Sequence, residues 1–418
     1  MIANKVKNKV KFNPFSAEFR ANPYPTYDRL RVEDPIHWSF LKAWVVTRHR
    51  DVKQILSDRR FIADDLPERL NQKKLYLQDG EDFNLLKQTI SKWLFFVEPP
   101  LHNRLREIMT KAFSVSTIEK MRPRVTEIVD ELINDAREVG EMDIIAGMAA
   151  PLPALVTAKM LGIPDQDRLL ITQWAYDLFR VFDQPLSLQD YADLNLVAGE
   201  CREYFLELIN HRKNNLQSDL LSNLIIASEE TGKLDLDEVL GLCAMLFSVG
   251  QETTENLIGN GMLALLQHPE QMAKLQQDPT LIKNAVEELL RYDSPVQIVA
   301  RDATEDIEID GNLIHAGESV VLCLGAANRD PEQFRDPDIL DITRKINRNL
   351  PFGGGIHYCL GSALARLEGQ IAINAIVQQL PELTLATNSL TRRKNIVLRG
   401  LQSLPVTFNV ASLLKAEV

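Results

Sequence analysis

The chain has 418 residues, 45% of them hydrophobic and 25% charged, with 19 glycines and 20 prolines. This globular composition excludes collagen-like, disordered and disulfide-scaffold classes. Lys plus Arg number 47 against 58 for Asp plus Glu, a net charge of −11 that argues against a nucleic-acid binder or a polybasic membrane-surface protein. Any cationic docking face must therefore be local.

In chain order, the N-terminus carries Lys5, Lys7, Lys9 and Lys11 with no apolar stretch behind them. It lacks the hydrophobic region of a secretory signal, so a cytoplasmic location is expected. No apolar run reaches the ~18 residues that span a bilayer, so no membrane association is expected. Apolar residues at three- and four-residue spacing predict amphipathic helices over Arg124 to Val139, Val197 to Arg212 and Val286 to Tyr292. The stretch from Leu236 to Leu266 is apolar on most sides, which predicts a helix buried through the middle of the molecule. Strand signals are confined to Gln297–Leu324, punctuated by the hairpin signal Asp310-Gly311, and to Asn395–Phe408. The four cysteines (Cys201, Cys243, Cys323, Cys359) are far apart with no CxxC pair, so neither a zinc site nor a disulfide framework is indicated. With no internal repeat and no linker, a single α-rich domain over residues 1–418 with small β appendages is expected, against a length prior of about two or three domains.

The sharpest local feature is Phe352-Gly353-Gly354-Gly355-Ile356-His357-Tyr358-Cys359-Leu360-Gly361, followed at once by a helix-forming run from Ser362 to Gln379. The glycines let the backbone turn tightly and approach a bulky group closely. A cysteine at the mouth of a helix meets the positive end of the dipole, which favours a thiolate able to act as metal ligand or nucleophile. The competing reading is a buried free cysteine after a flexible loop. A phosphate loop is excluded by spacing, because neither GxxxxGK[ST] nor GxGxxG occurs here.

The pattern F-x-x-G-x-H-x-C-x-G resembles the heme-binding loop of the cytochromes P450. Further landmarks of that family occur in order from Glu98-Pro99-Pro100-Leu101-His102 to Leu404-Pro405-Val406. The resemblance implies a mainly α, triangular prism with small β-sheets enclosing one heme b, with Cys359 as the proximal iron ligand in a loop shaped by Phe352, Gly353 and Gly361. Glu288-Leu289-Leu290-Arg291 matches the family's ExxR. A Glu–Arg pair at this spacing is by itself usually a solvated surface pair, whereas the resemblance implies a buried structural pair beneath the loop. The third, basic partner that often joins it is left open, because Ile339 stands where Arg often sits and Asn349 replaces a frequent His.

Gly250-Gln251-Glu252-Thr253-Thr254 resembles the oxygen-activating segment, with Glu252 and Thr253 in the catalytic roles; a helix kink with threonine back-bonding is the structural alternative. His102, Arg106, Arg301 and His357 occupy positions of the family's heme-propionate partners. Pocket walls by family position fall within Phe61–Phe96 and around Trp174–Phe182, with Trp93, Phe179, Met245, Val249, Val296, Ile298 and Leu401 as the named candidates. The implied reaction inserts one oxygen atom of O2 into a lipophilic small molecule, by hydroxylation or epoxidation, in secondary metabolism. Electrons would come from NAD(P)H through a separate ferredoxin or flavodoxin with its reductase. That partner would dock on Arg344, Lys345, Arg348, Arg104 and Lys111, with Arg104 facing outwards, and the enzyme would be a monomer. A peroxide-driven peroxygenase, a non-catalytic heme sensor and a heme-independent binding protein are the alternatives.

Overall fold

The structure is a computed structural model that describes residues 10–63, 65–73, 82–137, 139–183, 185–229, 232–345 and 348–409. The lysines at 5, 7 and 9 lie outside the described residues. Helices dominate, and the periodic segments form where their spacing predicts them, as Arg122–Arg137, Leu188–Lys213 and Ile282–Tyr292. The central helix runs from Leu236 to Gln267 without a break, about 48 Å at 1.5 Å per residue. Its start is set by a capping box in which the Asp235 side chain accepts from the Glu238 N–H and the Glu238 carboxylate accepts from the Asp235 N–H. It packs against the helices Pro151–Leu161, Arg168–Phe179 and Ser362–Gln379, so nearly all of its faces are covered. That explains the absence of a polar stripe in its sequence. Among the described residues no helix is long and apolar enough to cross a membrane.

Among the described residues ten short strands accompany the helices: β1 Ile36–Trp38, β2 Ala43–Val46, β3 Phe61–Ala63, β4 Glu141–Asp143, β5 Ile298–Ala303, β6 Ile307–Ile309, β7 Asn312–Ile314, β8 Ser319–Cys323, β9 Thr384–Leu385 and β10 Pro405–Thr407. The main sheet has the order β1-β2-β8-β5-β3, and β6 and β7 form the predicted hairpin. Asp310 and Gly311 take φ of 47° and 77° in its turn, the left-handed pair that a two-residue hairpin requires. The expectation that strands are confined to two regions is corrected by β1, β2, β3, β4 and β9. These elements have two to four residues each, too few for alternation to show in sequence.

What anchors the segment before the Cys359 loop is a buried charge cluster. Arg291 Nε and Nη2 each donate to Glu288 at 2.8 Å, and both side chains are fully buried. Arg344 supplies the third, basic partner, its Nε lying 3.1 Å from both Glu288 oxygens. The remaining guanidinium hydrogens go to main-chain carbonyls of the approaching chain: Arg291 to Asn328, Pro337 and Ile339, and Arg344 to Arg335, Asp336 and Ile339. The Asp341 N–H closes the ring on Glu288 at 3.0 Å.

Removing one partner of such a cluster strands a buried charge. Arg291→Met is therefore expected to destabilise the fold by about 3–5 kcal/mol in denaturant unfolding. Arg344→Gln, at a site that is 14% exposed, should cost less, about 1–3 kcal/mol. Equal, sub-kcal effects of both would contradict the cluster's structural role.

Candidate active site

Cys359 sits between the glycine loop and the helix Ser362–Gln379. Its N–H donates to the Phe352 carbonyl at 3.0 Å, closing the loop on itself. Gly355 has φ 65°, and a Cβ there would lie 2.1 Å from the Leu56 carbonyl oxygen, so only glycine fits. Gly353, at φ 67°, and Gly361 instead face open space where a Cβ would point. The Phe352 ring is fixed by the Arg366 guanidinium 4.3 Å above it, and Arg366 is itself paired with Glu287.

All four cysteines are free thiols, but they differ in surroundings. Burial pushes Cys243 up to about 12 and Cys201 and Cys323 higher still. Burial also raises Cys359, while the Gly361 N–H, Arg106 and Arg366 pull its pKa back down. The helix end therefore does not by itself make the thiolate, contrary to the sequence expectation. A bound metal ion would complete the deprotonation, as it does for any coordinating thiol.

Around the loop lie three basic side chains short of acceptors. His102 is buried on the helix Leu101–Ala112, neither ring nitrogen has a partner among the described residues, and burial and the neighbouring His357 lower its pKa. Its ring meets that of His357 edge-on at 4.7 Å between centroids. Arg106, one turn further on, donates to the Tyr358 carbonyl. Arg301, on β5 opposite Ala63, donates to its own neighbour, the Ala300 carbonyl, at 2.7 Å. Burial lowers both arginines, and no carboxylate pairs with either among the described residues. His357 differs: its nitrogens bond the Leu94 carbonyl and Glu98, each at 3.1 Å.

Leu94 joins the two halves of the site. Its carbonyl accepts from His357 of the loop, and its N–H donates to the Met245 sulfur of the central helix at 3.2 Å. Trp93 stacks on Phe96, and Phe182 contacts Trp93, Phe95, Phe96 and Phe179, so an aromatic cluster joins this segment to the end of the helix Arg168–Phe179. Trp93, Met245 and Val249 share one apolar cluster with Leu360, next to Cys359. Val296 and Leu401 belong to two other clusters. Ile298 is packed among Val10, Tyr27, Val45 and Cys323 on the N-terminal side, so its assignment to the pocket wall is not supported by its packing. Positions 64 and 74–81 of the expected wall segment lie outside the described residues.

The Thr253 hydroxyl donates to the Val249 carbonyl at 3.2 Å, and Glu252 lies 3.3 Å from Arg393. Sequence reasoning missed Arg393, which arrives from 141 positions along the chain with no local motif. It also missed Glu368, buried on the helix after Cys359 with Oε1 unpartnered and Thr254 beside it. Two residues of the expected basic docking face are engaged elsewhere. Arg344 binds Glu288, and Arg104, though exposed, pairs with Glu238 at 2.9 Å. Lys345, Arg348 and Lys111 are exposed.

The cytochrome P450 family profile matches residues 44–401. The "Biotin biosynthesis cytochrome P450" of Bacillus subtilis is 43% identical over 94% of this chain and 98% of its own. "Polyketide biosynthesis cytochrome P450 PksS" of the same organism is 38% identical over 96% and 99%. Among solved structures, P450BioI in complex with an acyl carrier protein ligated to hexadec-9Z-enoic acid superposes with a TM-score of 0.87 at 41% identity, covering 94% of this chain and 100% of that one.

Burial pushes Glu368 up to about 8, so its carboxyl is neutral in the fold while the unfolded chain ionises it in the ordinary carboxylate range. Its contribution to stability therefore falls as pH rises from that range to about 8 and is flat above. Glu368→Gln lacks this loss, so its melting temperature relative to the unsubstituted protein should improve from about pH 5 to about pH 9. A pH-independent difference would contradict the assignment.

Proposed function

The chain belongs to the cytochrome P450 family, and from that premise we propose how its own residues carry the family's reaction. The enzyme is a heme-thiolate monooxygenase acting on lipophilic small molecules. Bound heme supplies the iron at which O2 is reduced by electrons from NAD(P)H, one oxygen atom entering the substrate and the other leaving as water.

The observation that carries the assignment of residues is the set of basic groups around Cys359 that have no carboxylate partner among the described residues. Heme brings two propionates and an iron cation. His102, Arg106 and Arg301 are the donors suited to the propionates, by charge-assisted hydrogen bonds, and Cys359 is the thiol suited to the iron. The open space at Gly353 and Gly361 leaves room for a flat group beside the sulfur. His357, already bonded to Leu94 and Glu98, serves in this reading to hold the loop against the segment 93–98, and it can reach a propionate only by giving up one of those bonds.

On the central helix, Glu252 holds a proton that it passes to Thr253 Oγ1, and Thr253 gives up its own hydroxyl proton to the reacting oxygen. Retention of this acid and alcohol pair favours O2-driven monooxygenation over the peroxide-driven alternative. The aromatic cluster of Trp93, Phe96, Phe179 and Phe182 excludes water and presents an apolar wall to the substrate. A long acyl chain fits that chemistry, and the similar P450BioI binds such a chain on a carrier protein. The partner that supplies electrons would be met by Lys345, Arg348 and Lys111 rather than by Arg344 or Arg104.

Cys359→Ser should lose the red-shifted Soret band of the reduced, CO-bound enzyme, while Cys201→Ala, Cys243→Ala and Cys323→Ala keep it. The reverse pattern would overturn the ligand assignment. Thr253→Ala should go on consuming NADH but divert it into hydrogen peroxide, lowering product per NADH. Glu252→Gln should instead slow oxygen uptake itself with coupling largely intact. Unchanged coupling in Thr253→Ala would return that residue to the helix-bending role that its bond to Val249 already gives it.

A further inference from the structure

One residue, Glu98, bonds to all three elements that carry the groups assigned to heme. Its carbonyl accepts from the His102 N–H at 3.0 Å, in the first turn of the helix Leu101–Ala112 that bears His102 and Arg106. The opening N–H groups of a helix have no acceptor within it, and this bond supplies one. The Glu98 Oε1 accepts from the Ala63 N–H at 2.7 Å. Ala63 ends β3, an edge strand of the main sheet, and stands opposite Arg301 of β5. The same oxygen accepts from His357 Nε2 at 3.1 Å, in the loop that presents Cys359. His357 Nδ1 is held by the Leu94 carbonyl, so both ring nitrogens meet the segment 94–98.

By charge alone, a carboxylate is out of place on a surface that receives two propionates. Like charges in a partly buried site repel more strongly than they do in water. Glu98 is nevertheless kept ionised: burial would raise its pKa, but the bonds from His357 and Ala63 hold it below the ordinary carboxylate range. Its role therefore lies in what Oε1 holds. That oxygen has lone pairs for two donors, which the amide of glutamine retains and the side chain of methionine does not.

We propose that Glu98 is a positioning residue for heme, which fixes the propionate donors His102, Arg106 and Arg301 relative to the Cys359 sulfur by fastening helix, sheet and loop at one point. The inference rests on the assignment of those four residues given above. Glu98 itself is not a ligand of the iron or a donor to a propionate. Its bonds keep the strand facing Arg301 and the loop of His357 from parting, so that groups on three separate elements meet one flat, rigid cofactor together. Residues that orient the groups touching a metal centre commonly change its affinity by about 10–100-fold when they are removed. The role requires the reach and the oxygen of the side chain and not its charge.

Heme transfer from the loaded enzyme to excess apomyoglobin, followed by absorbance, reads how firmly the cofactor is held. The propionate bending bands of the resonance Raman spectrum read the donors around it. Glu98→Met should release heme about tenfold faster than the parent and shift those bands, and Glu98→Gln should restore both. In a His357→Phe background, where the loop arm is already cut, Glu98→Met should hasten release by a smaller factor. Should Glu98→Met not fold, His357→Phe alone is expected to release heme faster than the parent, and parent-like release in it overturns the proposal. Faster release in Glu98→Met with unmoved propionate bands means a merely structural role and overturns it too, as does failure of Glu98→Gln to restore either reading. Failure of the underlying propionate assignment would appear separately, as Arg301→Gln and His102→Phe matching the parent in both readings. A parent-like Glu98→Met beside an altered Arg301→Gln overturns the role of Glu98 alone.

Discussion

The geometry of the whole proximal side depends on the buried Glu288–Arg291–Arg344 cluster. Two guanidinium groups share one carboxylate, and every further bond they make goes to a carbonyl of the chain between Asn328 and Ile339. Burying such charges costs several kcal/mol per ion, which only a complete set of partners offsets. The cluster is therefore best understood as a specifier of one path for the chain rather than as a source of stability. That path continues through Leu350, whose N–H donates to the Asn328 side chain at 2.6 Å, and leads directly into the loop that presents Cys359.

From the loop, the constraint passes to the other side of the site through Leu94. Leu94 accepts from His357 and donates to the Met245 sulfur, so loop, aromatic segment and central helix are tied at one residue. The charges on the two sides are opposite in sign. Basic groups without carboxylate partners surround Cys359, where, in the proposed reading, an iron cation and two carboxylates are received. Beside Glu252, the one guanidinium of Arg393 meets two carboxylates, Glu252 and Glu255. Each side is incomplete alone, and in each the imbalance points to the species it handles.

Much of this was legible in sequence because it is local. The helices over 122–137, 188–213, 236–267 and 282–292 announce themselves by apolar period, and Asp310-Gly311 marks its hairpin by the left-handed backbone that those residues tolerate. The Cys359 loop and the Glu288–Arg291 spacing carry family resemblance in a few contiguous residues. What stayed hidden is nonlocal. Arg344 reaches Glu288 across 56 positions, and Arg393 reaches Glu252 across 141. Ile298 reads as a pocket residue by position, but it is packed with the N-terminal cluster instead. A residue's exposure, and hence whether Arg344 is a docking charge or a buried strut, is set by neighbours that no window of sequence contains.

The central claim is that the chain offers iron one sulfur, that of Cys359, while the nearby imidazoles of His102 and His357 serve other ends. Iron-edge X-ray absorption on the resting, heme-loaded enzyme tests this most directly. The account predicts that one sulfur, that of Cys359, would be bound to the iron. Absence of any sulfur bound to the iron would mean that another group, such as one of the two histidines, holds the metal, and it would contradict the account at its root.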